Sequence, residues 1–165
     1  MDKQAHIFNV QSWLVGMTLD DFTAEDWCFR PHGMNHALWI LGHLLLERKE
    51  LGNILGMEEE ISDRDHLFEI GTEPEGVPDD LDGAALLEEY QAMHGRFIEH
   101  LGQLTEEDLA AETEAQFPET PQTWLGALQF LLMHESYHIG QLGALRVMAG
   151  KGSWMKKMQE GRSPT

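Results

Sequence analysis

Three of the nine histidines in this chain have the spacing and the surroundings of metal ligands. His134 and His138 are four residues apart, so on a helix their imidazoles lie on one face, about one turn apart. Two imidazoles at that spacing can bind one ion at ~2.0–2.1 Å. Chance gives about half a pair at this spacing among so many histidines, so the spacing alone does not establish a site.

The apolar residues around these histidines supply the second argument. The helical pair lies among leucines, namely Leu131, Leu142 and Leu145. A buried imidazole needs a partner, and a metal ion satisfies two at once. His43 lies in another apolar run, residues 41–45, where Gly42 would let a neighbouring helix approach closely. Since bundles build metal sites from facing helices, we predict one divalent transition metal on His43, His134 and His138, although His43 alone would be an ordinary hydrogen-bonded core histidine.

A set of three imidazoles has defined chemical consequences. The ligands are neutral, so the ion keeps its full double charge, and one coordination position stays open. The pKa of a water bound there falls towards ~7, and a thiol bound there is deprotonated. Either group would be a nucleophile at neutral pH. Imidazole and water suit Zn, Ni, Fe and Mn alike.

Two polar residues on the same helices are candidates for assisting roles. Glu47 follows His43 by one helical turn and is a candidate fourth ligand, orienting partner or general base. An ordinary surface carboxylate is an equally good interpretation of this residue. Gln141 follows His138 by three residues and could hydrogen-bond a ligating imidazole.

The sequence of residues 134–138 also matches H-E-x-x-H, the zinc peptidase pattern, with Glu135 as the general base. The extended pattern needs Gly at position 141 and His at position 144, where this chain has Gln141 and Ala144. Glu135 lies one residue round the helix from His134, which predicts a side chain that faces solvent or a partner. The peptidase interpretation is therefore the weaker one.

Helical periodicity predicts the elements that position these residues. It appears in four segments, residues 3–19, 35–55, 82–104 and 121–148. The first segment has one apolar stripe, formed by Ile7, Val10, Leu14 and Met17. The last segment has Thr120 as a predicted N-cap, Pro121 at its first position and Gly150 as its stop. Sustained alternation with β-branched residues is absent, so an all-α fold is expected.

The connections differ in character. Residues 57–81 are acidic, contain prolines and lack periodicity. Such a long connection makes sense as a crossover between two parallel helices, the second and the third. Residues 1–150 are predicted to form one domain, and residues 151–165 a basic tail that frays. Two similar tetrapeptides, at residues 23–26 (TAED) and 105–108 (TEED), precede the second and fourth segments as a faint internal repeat.

Composition excludes several classes of partner. The net charge is −18, from 29 acidic and 11 basic residues, and this field repels nucleic acid and anionic lipid. The lone Cys28 cannot form an internal disulfide, which favours a reducing compartment. The first residues lack the pattern of a signal peptide, and no apolar stretch approaches the ~20 residues of a membrane span. A cytoplasmic protein without membrane or nucleic-acid partners is expected.

Three segments of the chain resemble the DinB-like superfamily, which includes the metal-dependent YfiT-type proteins. They are residues 26–31 (DWCFRP), 35–44 (NHALWILGHL) and 134–141 (HESYHIGQ). The resemblance implies a four-helix bundle of up-down-down-up topology, in agreement with the long acidic crossover between helices 2 and 3. It also implies a divalent metal, usually Zn or Ni, on the positions occupied here by His43, His134 and His138.

The resemblance further implies a homodimer and a small-molecule substrate, and it leaves three functions open. The first is a transferase that uses a low-molecular-weight thiol, with Glu47 or Gln141 assisting the three ligands. The second is a metal-dependent hydrolase with Glu47 or Glu135 as its base. The third is a non-enzymatic dimeric stress or binding module, with the acidic residues 57–81 as its interaction surface.

Overall fold

A computed structural model describes residues 2–78 and 80–160, and this part of the chain forms seven helices. They are α1 (Asp2–Leu19), α2 (Ala24–Cys28), α3 (Ala37–Ile54), α4 (Gly83–Gln103), α5 (Glu106–Ala110), α6 (Trp124–Met148) and α7 (Trp154–Glu160). Pairing between strands is limited, within these residues, to one isolated bridge between Glu112 and Thr123. The predicted all-α class is confirmed. None of the helices described is long and apolar enough to cross a bilayer.

The four long helices form the core of the molecule. α1 packs against α4 and α6, and α3 packs against the same two helices. The contacts between α3 and α4 follow the same order along both helices. Gly52 lies beside Met93, and the carbonyl of Leu55 accepts a hydrogen bond from His100. The segment between α3 and α4 packs against α3 as well.

The segment between α3 and α4 contains more local structure than its composition predicts. It contains two short 3-10 turns, Asp65–Phe68 and Pro74–Gly76. Phe68 is 1% exposed, and its ring lies so close to α3 that a methyl group on Gly42 would be 2.4 Å away. The expectation that Gly42 accommodates a helix is wrong, because an aromatic ring from the crossover occupies that space. The turn Asp65–Phe68 thus packs directly against α3.

The start of α6 differs from the prediction. Residues 121–123 are not helical, since Thr123 bridges to Glu112 and the amide of Trp124 donates to the carbonyl of Ala111 (3.0 Å). Thr123 is the N-cap, and its hydroxyl accepts a hydrogen bond from the amide of Gly126 (3.2 Å). Pairing with the preceding loop thus overrides the local signal of Thr120 and Pro121. At the other end Gly150 has a φ of +80°, as a helix stop requires.

Half of the apolar stripe predicted for α1 faces outwards, because Ile7 and Val10 are exposed whereas Leu14 and Met17 are half-buried. The residues that α1 buries are Phe8, Val15 and Leu19, among others. Ile7 and Val10 are 45% and 41% exposed, and on the neighbouring α6 Met133 and Val147 are 57% and 52% exposed. We call these four side chains the outer apolar face. α1 therefore has apolar residues on two sides. One side is buried against the other helices, and the other side is exposed.

The basic tail contains a helix that contacts α1. Trp154 of α7 packs edge-on against Trp13 with ring centroids 5.9 Å apart, and Lys157 forms an ion pair with Asp20. The expected fraying is therefore not seen at residues 154–160. Residues 161–165 of the predicted tail lie outside the described part of the chain.

The contact between Gly42 and Phe68 predicts a specific effect on stability. Gly42→Ala should lower the free energy of unfolding by about 1–3 kcal/mol, because the added methyl group overpacks against a ring that cannot leave the core. Urea denaturation measures this effect. Gly95→Ala on α4 is the matched control, since its methyl group meets nothing within 4 Å and should stabilise the helix by about 0.5–1 kcal/mol. Equal midpoints for the two variants would contradict the packing argument.

Candidate metal centre

The three predicted ligands meet in one cluster between α3 and α6. One ligand atom from each of His43, His134 and His138 lies within 4.8 Å of the others. The Nε2 atoms of His43 and His134 are 2.9 Å apart. His43 and His138 are 1% and 6% exposed, whereas His134 is half-buried and forms the solvent side of the cluster. This arrangement of donors could hold one metal ion.

Hydrogen bonds on the far side of two rings fix which nitrogen faces the cluster. His43 Nδ1 lies 2.8 Å from the carbonyl of Phe68, and a carbonyl only accepts, so Nδ1 carries the proton. His138 Nδ1 donates in the same way to Oε1 of Gln141 (2.7 Å). Nε2 of both rings therefore carries a lone pair, and that of His43 lies 2.9 Å from Nε2 of His134. This tautomer is the one that a metal ligand needs, so these residues fit a divalent ion.

Burial keeps the imidazoles neutral. The pKa of His43 is lowered to about 4, chiefly by burial and also by the neighbouring His134, against the opposing effect of the Phe68 carbonyl. The pKa of His138 is also lowered to about 4, first by burial and then by the two neighbouring rings. Burial lowers the pKa of His134 as well. At pH 7 an ion would not have to displace protons from these ligands.

Glu47 borders the cluster and is not an ordinary surface carboxylate. Its Oε1 lies 3.7 Å from Nε2 of His43, and its side chain is 15% exposed. The pKa of Glu47 is raised to about 7, chiefly by burial and also by the negative charges of Glu50 and Glu135. A carboxyl group with this pKa can both accept and return a proton near neutral pH.

Gln141 contacts a predicted ligand, as its spacing indicates. Its amide is oriented by Tyr137, whose hydroxyl accepts a hydrogen bond from Nε2 of Gln141 (3.0 Å). That bond turns Oε1 of Gln141 towards His138. Gln141 therefore orients a ring of the cluster from its outer side.

Aromatic rings pack against two of the histidines. Trp39 is stacked on His43 with centroids 4.9 Å apart, and Phe130 on His134 at 5.8 Å. Each of these two residues lies four positions before its histidine, a helical spacing from which the contact could have been predicted. Phe117 packs on Phe130 at 4.8 Å, but it lies in a loop, where no periodicity reveals its position.

Glu135 has a role opposite to the one predicted for it. It is fully buried, and its carboxylate forms a bidentate ion pair with Arg48 of α3, at 2.6 and 2.8 Å. A carboxylate held in this way cannot serve as the base of the three-His cluster. The peptidase interpretation loses its general base, and the expectation of a Glu135 side chain facing solvent is wrong.

Two other histidines, His94 and His36, serve the scaffold. His94 accepts a hydrogen bond from Arg48 through Nδ1 (2.6 Å) and donates to Asn9 through Nε2 (2.9 Å). His36 is the N-cap of α3, where its Nδ1 accepts from the amide of Trp39 (3.0 Å). Neither joins the three-His cluster.

The ion pair predicts a large loss of stability on removal of one charge. Glu135→Gln should lower the free energy of unfolding by about 3–5 kcal/mol, because Arg48 would remain buried without its counter-charge. Chemical denaturation is the measurement, with Glu88→Gln on the exposed side of α4 as a control of near-zero effect. The double variant Arg48→Met, Glu135→Leu should recover most of the loss. A full loss in the double variant would show that shape, rather than charge, is responsible.

Comparisons with known proteins agree with the geometry. No curated protein sequence matches the chain significantly. Among protein families, the DinB superfamily matches residues 15–142, which is well over half of the 165 residues and includes all three histidines. With a buried cluster of potential metal ligands on two of its long helices, the chain belongs to the DinB superfamily, a family of metal-binding proteins.

Proposed function

We propose that this protein is a metal-dependent transferase that joins a low-molecular-weight thiol to a small electrophilic substrate. The observation that carries the proposal is the donor set. Three neutral imidazoles offer three ligand atoms within 4.8 Å, which leaves a fourth position open for a thiol. Zn or Ni suits such a set.

The roles of the side chains follow from their positions. His43, His134 and His138 would hold the ion, which supplies a positive charge that favours the thiolate over the thiol. Glu47 lies beside His43 and would take the proton that the thiol loses. Gln141 would keep His138 in its ligating tautomer. A hydrolase would use the same three ligands and Glu47, with water in place of the thiol.

We further infer that the four long helices form the up-down-down-up bundle that the resemblance implies. α1 and α6 contact each other in the same chain order, since Gln11 donates to the carbonyl of Leu132 and Arg146 donates to that of Thr18. α3 and α6 contact in the opposite order, with His43 near His138 and Glu47 near Phe130. These pairs support the proposed directions.

A homodimer is part of the same proposal. The outer apolar face lies on the adjacent helices α1 and α6, and exposed apolar side chains on neighbouring helices support an interface there. A second copy would cover Ile7 and Val10, the residues that the bundle leaves exposed. The acidic crossover lies elsewhere and would remain free.

Metal binding is the first test of the proposed function. Protein purified without added metal should bind one equivalent of zinc or nickel, and its melting temperature should rise because the ligand binds only the folded state. His134→Gln is the mildest variant, since His134 is only half-buried, and it should weaken binding at least tenfold. Protein that stays metal-free, or a variant with unchanged affinity, would contradict the proposed site.

Turnover is the second part of that test. Metal-loaded protein should accelerate the reaction of monobromobimane or chlorodinitrobenzene with at least one member of a thiol panel. Glu47→Gln should slow it by about 10²–10⁴-fold if Glu47 accepts the proton. The triple His43, His134, His138→Ala variant gives the background rate. A wild-type rate equal to that background would end the transferase proposal, and ester cleavage without thiol would favour the hydrolase.

Sedimentation tests the proposed dimer. The wild-type protein should sediment at twice the chain mass of 18.8 kDa, and Ile7→Glu should shift it towards the monomer by burying a charge in the interface. Ile70→Glu is the matched control, because Ile70 is 79% exposed in the crossover, away from the outer apolar face. Dissociation by both variants alike, or by neither, would count against this interface.

A further inference from the structure

One chain of hydrogen bonds joins all four long helices. Glu135 of α6 pairs with Arg48 of α3 through two bonds, at 2.6 and 2.8 Å. Nη1 of Arg48 donates a third bond to Nδ1 of His94 on α4 (2.6 Å), and Nε2 of His94 donates to Oδ1 of Asn9 on α1 (2.9 Å). We call these four side chains the Arg48 network. It begins beside the metal cluster, because Glu135 directly follows His134, and it ends at the exposed Asn9.

The bonds of this network fix both the tautomer and the orientation of His94. A guanidinium group only donates, so Nδ1 of His94 accepts the bond and Nε2 carries the proton. Burial and, after it, the charge of Arg48 lower the pKa of His94 to about 4, so the ring stays neutral at pH 7. Asn9 holds the ring from its other side. His94 is therefore a fixed acceptor for a fully buried cation.

The bond to His94 adds a restraint that the ion pair by itself lacks. A bidentate pair holds the guanidinium and the carboxylate in one geometry, so Arg48 and Glu135 form one rigid unit. Such a unit can still shift as a whole relative to its surroundings. His94 ties it to α4, and the ring of Tyr90, whose centroid lies 4.6 Å from Cζ of Arg48, covers one face of the guanidinium. Contacts from both α3 and α4 thereby fix the position of Glu135.

His134 is the ligand that depends most on this restraint. His43 and His138 each donate from Nδ1 to an acceptor outside the cluster, and those bonds orient their rings. In the described part of the chain, the hydrogen bond of His134 runs through Nε2 to His43, and none is found at its Nδ1. Its ring stacks on Phe130, which lies on α6 as well and turns with that helix. The direction of His134 therefore follows the rotation of α6, which the neighbouring Glu135 fixes.

We propose that His94 is a positioning residue for the metal centre, and that it acts through Arg48 and Glu135 to hold His134 in line with the other two ligands. The inference rests on the proposed function, because it concerns the ion that the three histidines would bind. It assigns a role at the site to a residue of α4, a helix that contributes no ligand to the cluster.

Three substitutions on α4 test the proposal. His94→Leu removes the acceptor and keeps a side chain of similar size, whereas His94→Asn retains it, because Oδ1 of asparagine takes the place of Nδ1. His100→Leu is the matched control, since it also deletes a bond from a histidine of α4 to α3, here to the carbonyl of Leu55 (2.8 Å), but lies outside the Arg48 network. Zinc affinity is measured by competition with a chelating dye, and urea denaturation shows how far each variant is destabilised.

His94→Leu should weaken zinc binding about tenfold and change the d–d absorption of the Co²⁺-loaded protein, which reports the geometry of the ligands. His94→Asn should bind zinc nearly as tightly as the wild type. His100→Leu should lose stability but keep both the affinity and the spectrum. Unchanged affinity in His94→Leu, or an equal loss in His94→Leu and His100→Leu, overturns the inference. So does an equal loss in His94→Asn, because the acceptor would then be irrelevant.

The double variant Arg48→Met, Glu135→Leu covers the case in which His94→Leu does not fold. Its apolar side chains remove the network without leaving a buried charge, so most of the stability should remain. Zinc binding should nevertheless be weakened about tenfold. Adding His94→Leu to the double variant should cause no further loss, because His94 acts through the residues already replaced. Wild-type affinity in the double variant, or a further loss in the triple variant, overturns the inference.

A measurement on metal-free protein separates this inference from the proposed function. Nε2 of His43 accepts a hydrogen bond from Nε2 of His134, so His134 is held in one tautomer. The ring ¹⁵N shifts in NMR spectra report that tautomer, and in His94→Leu they should move towards a mixture of both. A wild-type protein that binds no zinc overturns the proposed function, and the ¹⁵N shifts then decide the role of His94. A wild-type protein that binds zinc, with affinity and shifts unchanged in His94→Leu, overturns only the positioning role.

Discussion

The ion pair between Arg48 and Glu135 is the interaction on which the arrangement of the long helices depends. Both side chains are fully buried, and removing either charge would leave the other uncompensated in a medium of low dielectric. Arg48 also donates to His94 of α4 and lies over the ring of Tyr90 at 4.6 Å. Because Glu135 directly follows His134, the pair fixes the rotation of α6 against α3. The direction of the ligating rings follows from that rotation.

The segment between α3 and α4 also positions His43. Phe68 fills the space above Gly42 with its ring and accepts a hydrogen bond from Nδ1 of His43 with its carbonyl. One residue of an irregular segment thus packs against α3 and selects the tautomer of a potential ligand. Thr72 of the same segment holds Trp39, since its hydroxyl accepts a hydrogen bond from the indole of Trp39 (3.0 Å). The segment between α3 and α4 therefore contributes residues that hold His43 and Trp39 in place.

Charge and burial act together around the cluster. Burial disfavours positive charge on His43 and His138, so the donors are neutral and ready to bind. The same burial, together with the charge of Glu50, raises the pKa of Glu47. A divalent ion between them would be stabilised by the nearby carboxylate while its ligands lose no protons. Because the net charge of the whole chain is −18, the rest of the protein also favours cations over anions.

Local sequence by itself determined the elements and the candidate ligands. Periodicity located the four long helices, and the tetrapeptides at residues 23–26 and 105–108 form the capping boxes of α2 and α5, because capping depends only on neighbouring residues. Only the tertiary structure decided which side of α1 is buried, where α6 begins and where Glu135 points. Those outcomes depend on contacts between residues distant in sequence, such as Arg48 with Glu135 and Gly42 with Phe68, which no local pattern records.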